Sequence, residues 1–279
     1  MAGAGMNNIK ARMKSVESTM QITCAMELVA TSKLRRAKES VERTRPFHEA
    51  LKRAISDIMR VGVLADSDYT RERSVEKTLF IVIAGDRGLA GGYNSNVLKL
   101  GESLCDTDAV WLPLGEKALE YYRHRDRDIL SDSYEYVANI GVGDALAIGK
   151  RVTDDFLLGR YDRVVMVYTE FVSMMTVTPV YEELLPLKYE ASESVDSPEC
   201  DASPEEMLDK IVPEYIGGRI YSAVCESVAS ETSARRSAMN SANKNAKEMI
   251  ESLTLMYNRA RQAVITQEIT EIVSGAEAL

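Results

Sequence analysis

Residues 219–274 read RIYSAVCESVASETSARRSAMNSANKNAKEMIESLTLMYNRARQAVITQEITEIVS and contain neither glycine nor proline. These two residues disfavour a helix interior most strongly. The stretch therefore predicts one helix, roughly 84 Å long at 1.5 Å per residue. A second stretch without either residue runs from Met6 to Arg45. Because globular helices average about 11–12 residues, the sequence predicts a rod built from both termini, with a compact domain inserted between them.

The N-terminal stretch has apolar residues at helical spacing, in steps of three or four: Ile9, Met13, Val16, Met20, Cys24 and Leu28. A second apolar stripe follows Ile22, Met26 and Val29. A helix that is apolar on two faces is expected to contact neighbours on both sides. Pro46 is expected to interrupt or kink this helix, which could continue to about Arg60.

The C-terminal stretch has heptad spacing, which predicts a left-handed coiled-coil seam along Ile250, Leu253, Tyr257, Ala260 and Val264. Small residues upstream would let two helices approach closely: Ala234, Ala238, Ala242 and Ala246. The N-terminal helix is the natural partner. We therefore predict a long antiparallel coiled coil of the two terminal helices.

The middle of the chain alternates between strand-like and helix-like segments, which is typical of a parallel sheet. The predicted strands are Lys77–Ala84, Ala109–Leu114, a short one at Tyr134–Ile140, Arg163–Phe171, and a further strand with an exit loop over Thr176–Leu187. The predicted helices are 91–105, Glu116–Arg125 and Asp144–Leu158. The fold class is thus α/β, with a coiled coil (1–60 and 207–279), a small parallel Rossmann-like domain (77–187) and an acidic linker (188–206).

Composition limits the possible functions. The first 60 residues carry 12 Lys and Arg against 6 Asp and Glu, although the whole chain has a net charge of −9. This pattern indicates a basic N-terminal helix that is either solvated or meets an acidic partner, and it disfavours nucleic acid. No apolar run is long enough to insert into a membrane. The four cysteines form no metal-binding spacing, so we expect free thiols in a reducing cytoplasm.

The glycine-rich loop Gly85–Gly92 follows a strand and precedes a helix, where a phosphate-binding loop would lie. It matches neither common nucleotide-binding pattern, so we interpret it as a structural turn. His48 and His124 have no catalytic partners nearby in sequence, and we predict both at the surface. The sequence predicts no catalytic residue, no cofactor and no metal site.

Three segments resemble the gamma subunit of the rotary F-type ATP synthase. They are ITCAMELVATSKLRRA over Ile22–Ala37, DRGLAGG over Asp86–Gly92 and YNRARQAVITQEITEIVSG over Tyr257–Gly275. Their order and spacing agree with that family over the whole chain. Cys24 is a departure, because the family usually has lysine at this position.

The resemblance implies a central rotor shaft that couples ion flow to ATP synthesis or hydrolysis and is not catalytic by itself. Its expected partners are three alpha and three beta subunits, an epsilon subunit and the membrane ring of c subunits. Coupling contacts with beta are expected at Met26, Arg261 and Gln262. A hydrophobic collar is expected to surround Val264, Ile265, Ile269, Ile272 and Val273. The expected location is the cytoplasmic face of the bacterial cell membrane, as a peripheral protein, with either protons or sodium ions as the coupled ion.

Two other functions stay open at this stage. A nucleotide-using enzyme built on the α/β domain would bind nucleotide as an isolated chain. A coiled-coil tether would bind a partner at the rod ends without affecting ATP turnover.

Overall fold

The computed structural model describes residues 2–60, 67–71, 73–173, 176–188 and 204–277. Most of the predicted acidic linker, and Cys200 within it, lie outside these residues. The described chain forms two compact units. Unit 1 joins Met1–Ala30 to Arg236–Leu279, and unit 2 is Thr31–Arg235.

The two terminal segments form long helices, as the sequence predicts. Helix α1 covers Ala2–Arg60 with Pro46 inside it, and α5 covers Pro204–Glu277 with Pro213 inside it. Helix α1 is therefore continuous across Pro46. Pro46 was expected from the sequence to interrupt or kink the helix, and no interruption occurs. None of the helices in the described ranges combines the length and apolarity needed to cross a membrane.

Unit 2 contains a four-stranded sheet in the order β2-β1-β3-β4. The strands are β1 (Lys77–Ile83), β2 (Asp108–Leu114), β3 (Arg163–Phe171) and β4 (Val177–Leu185). Strand β1 pairs in parallel with β2 and β3, as predicted, whereas β4 pairs antiparallel with β3. The reason is the short connection 172–176, since a parallel crossover needs about a dozen residues or more.

The helices between the strands are α2 (Tyr93–Ser103), α3 (Glu116–Arg123) and α4 (Val142–Leu157). The predicted strand at Tyr134–Ile140 is wrong, because this segment contains a 3₁₀ turn, Val137–Asn139. The Asp86 carboxylate accepts hydrogen bonds from the backbone N–H groups of Val137 (2.7 Å) and Ala138 (3.3 Å). These bonds take the place of a strand ladder.

Both faces of the sheet are covered, as a parallel sheet requires. One face packs on α2 and α3 through Phe80, Val82, Val97, Trp111, Ala118 and Tyr122. The other packs on α4 and on the parts of α1 and α5 that belong to unit 2, through Ile81, Met166, Ile148, Phe156, Ile55 and Ile216. Helices α4 and α5 touch through their backbones. A Cβ built on Gly149 would lie only 2.4 Å from the Gly217 nitrogen.

A buried ionic cluster joins α5 to the sheet. Arg219 has a side chain only 7% exposed, and it contacts Glu182 of β4 at 2.6 Å and Glu226 of α5 at 3.7 Å. Its guanidinium also donates to the Tyr168 hydroxyl of β3. Removing one partner from a buried pair leaves an uncompensated charge, which typically costs about 3–5 kcal/mol. The cluster therefore fixes where α5 lies on β3 and β4.

His48 is half-buried, in contrast to the prediction, whereas His124 is exposed as predicted. The His48 ring stacks on Tyr215 of α5 with 6.0 Å between ring centroids. Burial, assisted by the positive charges of Arg219 and Lys52, lowers the pKa of His48 to about 4. His48 is therefore a neutral packing residue near neutral pH.

Candidate partner-contact site

Unit 1 pairs the first part of α1 with the last part of α5. The heptad stripe predicted on α5 faces inward, because Leu253 is buried and Ile250, Tyr257, Ala260 and Val264 are half-buried. On α1, the predicted stripe is half-buried at Ile9, Met13, Val16 and Met20. Its continuation is wrong, since Cys24 is exposed and Leu28 is 73% exposed. Thr23, Glu27 and Ala30 face inward in their place.

A polar cluster explains this change of face. The Asn243 amide nitrogen donates to Glu27 Oε2 at 2.7 Å, and the Asn240 amide nitrogen donates to Glu27 Oε1 at 3.0 Å. The Thr23 hydroxyl donates to Asn243 Oδ1. Hydrogen bonds from the two asparagines lower the pKa of Glu27, so its carboxylate is ionised at neutral pH.

The sequence prediction missed this cluster, although it left a signal. Continuing the heptad stripe of α5 upstream from Ile250 gives Ala246, Asn243 and Met239, in the same alternating steps of four and three. Asn243 thus occupies a seam position, where a polar residue is unusual and often specifies how helices pair.

Apolar side chains of unit 1 also face outward. The exposed residues include Ile22 (61%), Leu28 (73%) and Val29 (57%) on α1, and Leu255 (62%) and Met256 (53%) on α5. Nearer the end of α5, they are Ile265 (44%), Ile269 (57%), Ile272 (72%) and Val273 (52%). Scattered exposed apolar residues are ordinary on a monomer, but a concentration of them on one unit is typical of an interaction surface.

The predicted contact residues all belong to this unit. Arg261 and Gln262 are exposed, and Met26 is half-buried beside the polar cluster. Of the five residues predicted to meet a collar, Val264 is half-buried in the helix pair, and the other four are exposed. The structure thus brings Met26 and Val264 into the pair and leaves the remaining six accessible.

The glycine-rich loop of unit 2 is packed against α5. A Cβ on Gly85 would lie 2.6 Å from Glu231 Oε1, so the absence of a side chain at Gly85 makes room for that carboxylate. Arg235 donates to the Gly88 carbonyl at 3.1 Å and pairs with Glu231 at 2.6 Å. Arg235, a cation that could bind a phosphate at this loop, is already engaged by Glu231 and by the Gly88 carbonyl. This geometry favours the structural interpretation over a nucleotide site.

Within the described residues, no three His, Cys, Asp or Glu side chains lie close enough together to hold a metal ion. Cys24, Cys105 and Cys225 are free thiols, and only Cys24 is exposed. The surface of unit 1 thus combines many polar and charged side chains with the exposed apolar ones above, a mixture that suits binding to a protein partner.

Comparisons with known proteins agree with this geometry. A family model described as ATP synthase matches residues 5–279. The ATP synthase gamma chain of Ruminococcus albus is 47% identical, covering 98% of each chain. The gamma chain of Acetobacterium woodii, described as sodium ion specific, is 42% identical over 98% of each chain.

A solved structure with a similar fold is a chain of the Euglena gracilis mitochondrial ATP synthase, from a cryo-EM structure of OSCP, F1 and the c-ring in rotational state 3. It has a TM-score of 0.69 and 18% identity, and it covers 99% of this chain and 95% of that one. Two very long terminal helices, a small sheet between them in sequence, coverage of 98% and 47% identity lead to one conclusion. The chain belongs to the ATP synthase gamma chain family and is a central shaft subunit of the F-type enzyme.

Proposed function

We propose that the outward-facing residues of unit 1 are the contacts by which this shaft acts on the catalytic ring. Met26, Arg261 and Gln262 contact the beta subunits. The end of α5 turns inside a hydrophobic collar formed by the ring and meets it through Val264, Ile265, Ile269, Ile272 and Val273. The observation that carries this proposal is the exposure of Ile265, Ile269, Ile272 and Val273, in the roughly three turns of α5 that follow the exposed Arg261 and Gln262.

The energies involved are sufficient for coupling. To move a catalytic site from 1:99 to 99:1 between two conformations, the shaft must contact one conformation more favourably by about 5.5 kcal/mol. Fully burying one large aliphatic side chain contributes roughly 1.5–3 kcal/mol, and a hydrogen bond to a charged group contributes about 1.5–3 kcal/mol. A few contacts made with one beta subunit at a time would therefore make three chemically identical sites inequivalent.

We further propose that the chain binds three alpha and three beta subunits, an epsilon subunit and the c-ring, at the cytoplasmic face of a bacterial cell membrane. The bacterial origin of both relatives named above supports this location. Functionally, the chain divides into two coupling helices (1–60 and 207–279), an α/β domain (77–187) and an acidic linker (188–206). The α/β domain would serve the epsilon and c-ring contacts.

The double variant Arg261→Ala/Gln262→Ala tests the coupling contact in the reconstituted enzyme. Losing one charge-assisted contact, about 1.5–3 kcal/mol, should reduce proton- or sodium-driven ATP synthesis or weaken assembly by about tenfold or more. A matched control is Lys247→Ala/Glu248→Ala, which removes two exposed polar side chains from the same helix. Subunit stoichiometry and circular dichroism should first establish that both variants fold.

Normal synthesis and normal ATPase activity in the assembled Arg261→Ala/Gln262→Ala enzyme would contradict the proposed contact. A tether without a rotary role predicts that outcome, because its variants would change binding without changing ATP turnover.

A further inference from the structure

In unit 1, the apolar residues of α1 do not by themselves determine which face of this helix packs against α5. Between Met20 and Ala30, apolar side chains occupy two faces of the helix: Met20, Cys24 and Leu28 on one, and Ile22, Met26 and Val29 on the other. Burial of apolar area favours any face roughly in proportion to the area it covers. Rotating α1 about its own axis would exchange one apolar face for another at little cost. Some other interaction must select the face that the structure adopts.

The polar cluster supplies that selection. Asn243 lies on the α5 seam and is only 7% exposed. Its amide nitrogen needs an acceptor and its oxygen needs a donor, and the structure provides Glu27 and Thr23 respectively. Each partner is thus matched to the Asn243 atom that it faces.

A different rotation of α1 would leave this buried amide without partners. Turning the helix by one residue, roughly 100°, would bring Leu28 and Cys24 toward Asn243 in place of Glu27 and Thr23. An unpaired buried polar group is unfavourable. The adopted face is therefore the one on which α1 carries the complementary polar groups.

We propose that Thr23, Glu27, Asn240 and Asn243 act as a positioning cluster that sets the rotation of α1 against α5. In doing so, the cluster decides which apolar side chains face outward, among them Ile22, Leu28 and Val29. This inference concerns the chain by itself and holds whether or not the contacts proposed above are correct.

Cys24 is a natural reporter of this rotation, because it is exposed now and would become buried if α1 turned toward its Cys24–Leu28 face. The experiment uses the full chain with Cys105→Ser, Cys200→Ser and Cys225→Ala, so that maleimide modifies one thiol. In Asn243→Leu, Glu27 would face an apolar side chain. We expect α1 to turn and the rate of Cys24 modification to fall by about tenfold or more.

Two further variants make the test specific. In Glu27→Leu/Asn243→Leu no unpaired carboxylate opposes the original face, so the two rotations become similar in energy and the Cys24 rate should rise from that of Asn243→Leu toward that of the parent. Asn245→Leu, at an exposed position two residues away, should leave the rate unchanged. Circular dichroism checks that each variant keeps its helices.

The sign of the effect separates positioning from simple loss of structure. Loosening of the helix pair would leave Cys24 accessible or make it more so, whereas rotation protects it. If Asn243→Leu does not fold, Asn243→Asp replaces it, because a carboxylate opposite Glu27 removes the donor at nearly constant shape. A folded variant that labels as fast as the parent would overturn the proposal.

Discussion

Replacing Gly149 with alanine tests the backbone contact between α4 and α5. The new Cβ would meet three backbone atoms: the Gly217 nitrogen at 2.4 Å, the Gly217 Cα at 2.7 Å and the Pro213 oxygen at 2.7 Å. Alanine is favoured over glycine in a helix by about 1 kcal/mol, but overpacking costs about 1–3 kcal/mol. Because backbone atoms cannot move aside by changing rotamer, we expect the steric cost to dominate. With a steric cost at the upper end of this range, about 3 kcal/mol, less the gain of about 1 kcal/mol from alanine, the free energy of unfolding should fall by about 2 kcal/mol.

Fluorescence of the only tryptophan, Trp111, reports on this unit, because its side chain is fully buried in the sheet. In urea, the unfolding midpoint of Gly149→Ala should fall by about 1 M. Gly143 is the matched control in the same helix, since a Cβ there would meet nothing within 4 Å. Gly143→Ala should be neutral or stabilising by up to about 1 kcal/mol. If Gly149→Ala proves as stable as the parent, the backbone contact is not close in solution.

Three other outcomes follow from the structure. The pKa of His48, lowered to about 4, means that below about pH 6.5 the unfolded chain binds a proton that the folded chain does not. Stability should therefore fall by at most about 3 kcal/mol as the pH drops from 6.5 to 4, and His48→Phe should lose most of this dependence in urea titrations at several pH values. Gly85→Ala should destabilise unit 2 less than Gly149→Ala does, as measured by Trp111 fluorescence, because its Cβ would meet the end of the flexible Glu231 side chain rather than a backbone atom. Isothermal titration calorimetry of the isolated chain should detect no ATP or ADP binding tighter than about 1 mM, or −4.1 kcal/mol, and micromolar binding would contradict the structural interpretation of the glycine-rich loop.

Much of the fold could be predicted from local sequence. Strands Lys77–Ile83 and Arg163–Phe171 are nearly continuous apolar runs, and the terminal helices have periodic residues without breakers. The 3₁₀ turn at Val137–Asn139 could not be predicted in this way. The backbone N–H of Val137 donates to the side chain of Asp86, which is far away in the sequence. The antiparallel direction of β4 could have been predicted from its short connection to β3. The alternation of strands and helices earlier in the domain favoured a parallel sheet instead.

The exposure of a site residue could be predicted where it depends on the sequence of one helix only. Exposed apolar residues at Ile265 and Ile269 follow from a helix that is apolar on more than one face near its end. The inward face of α1 was not predictable from α1 alone, since Leu28 and Cys24 continue its apolar stripe. The deciding group was Asn243 on the other helix, and pairing two helices by polar complementarity requires both sequences in register.

The close approach of Gly149 and Gly217 has a consequence for torsional compliance. Packed side chains can change rotamer, which lets neighbouring helices shift slightly under load. Two glycines in backbone contact have no rotamers to change, and close-packed interiors transmit strain. A twisting load on α5 at Gly217 is therefore transmitted to α4 with little relative movement of the two helices. Elastic deformation between rotary steps must then occur elsewhere along the helices, where side chains separate one backbone from the next.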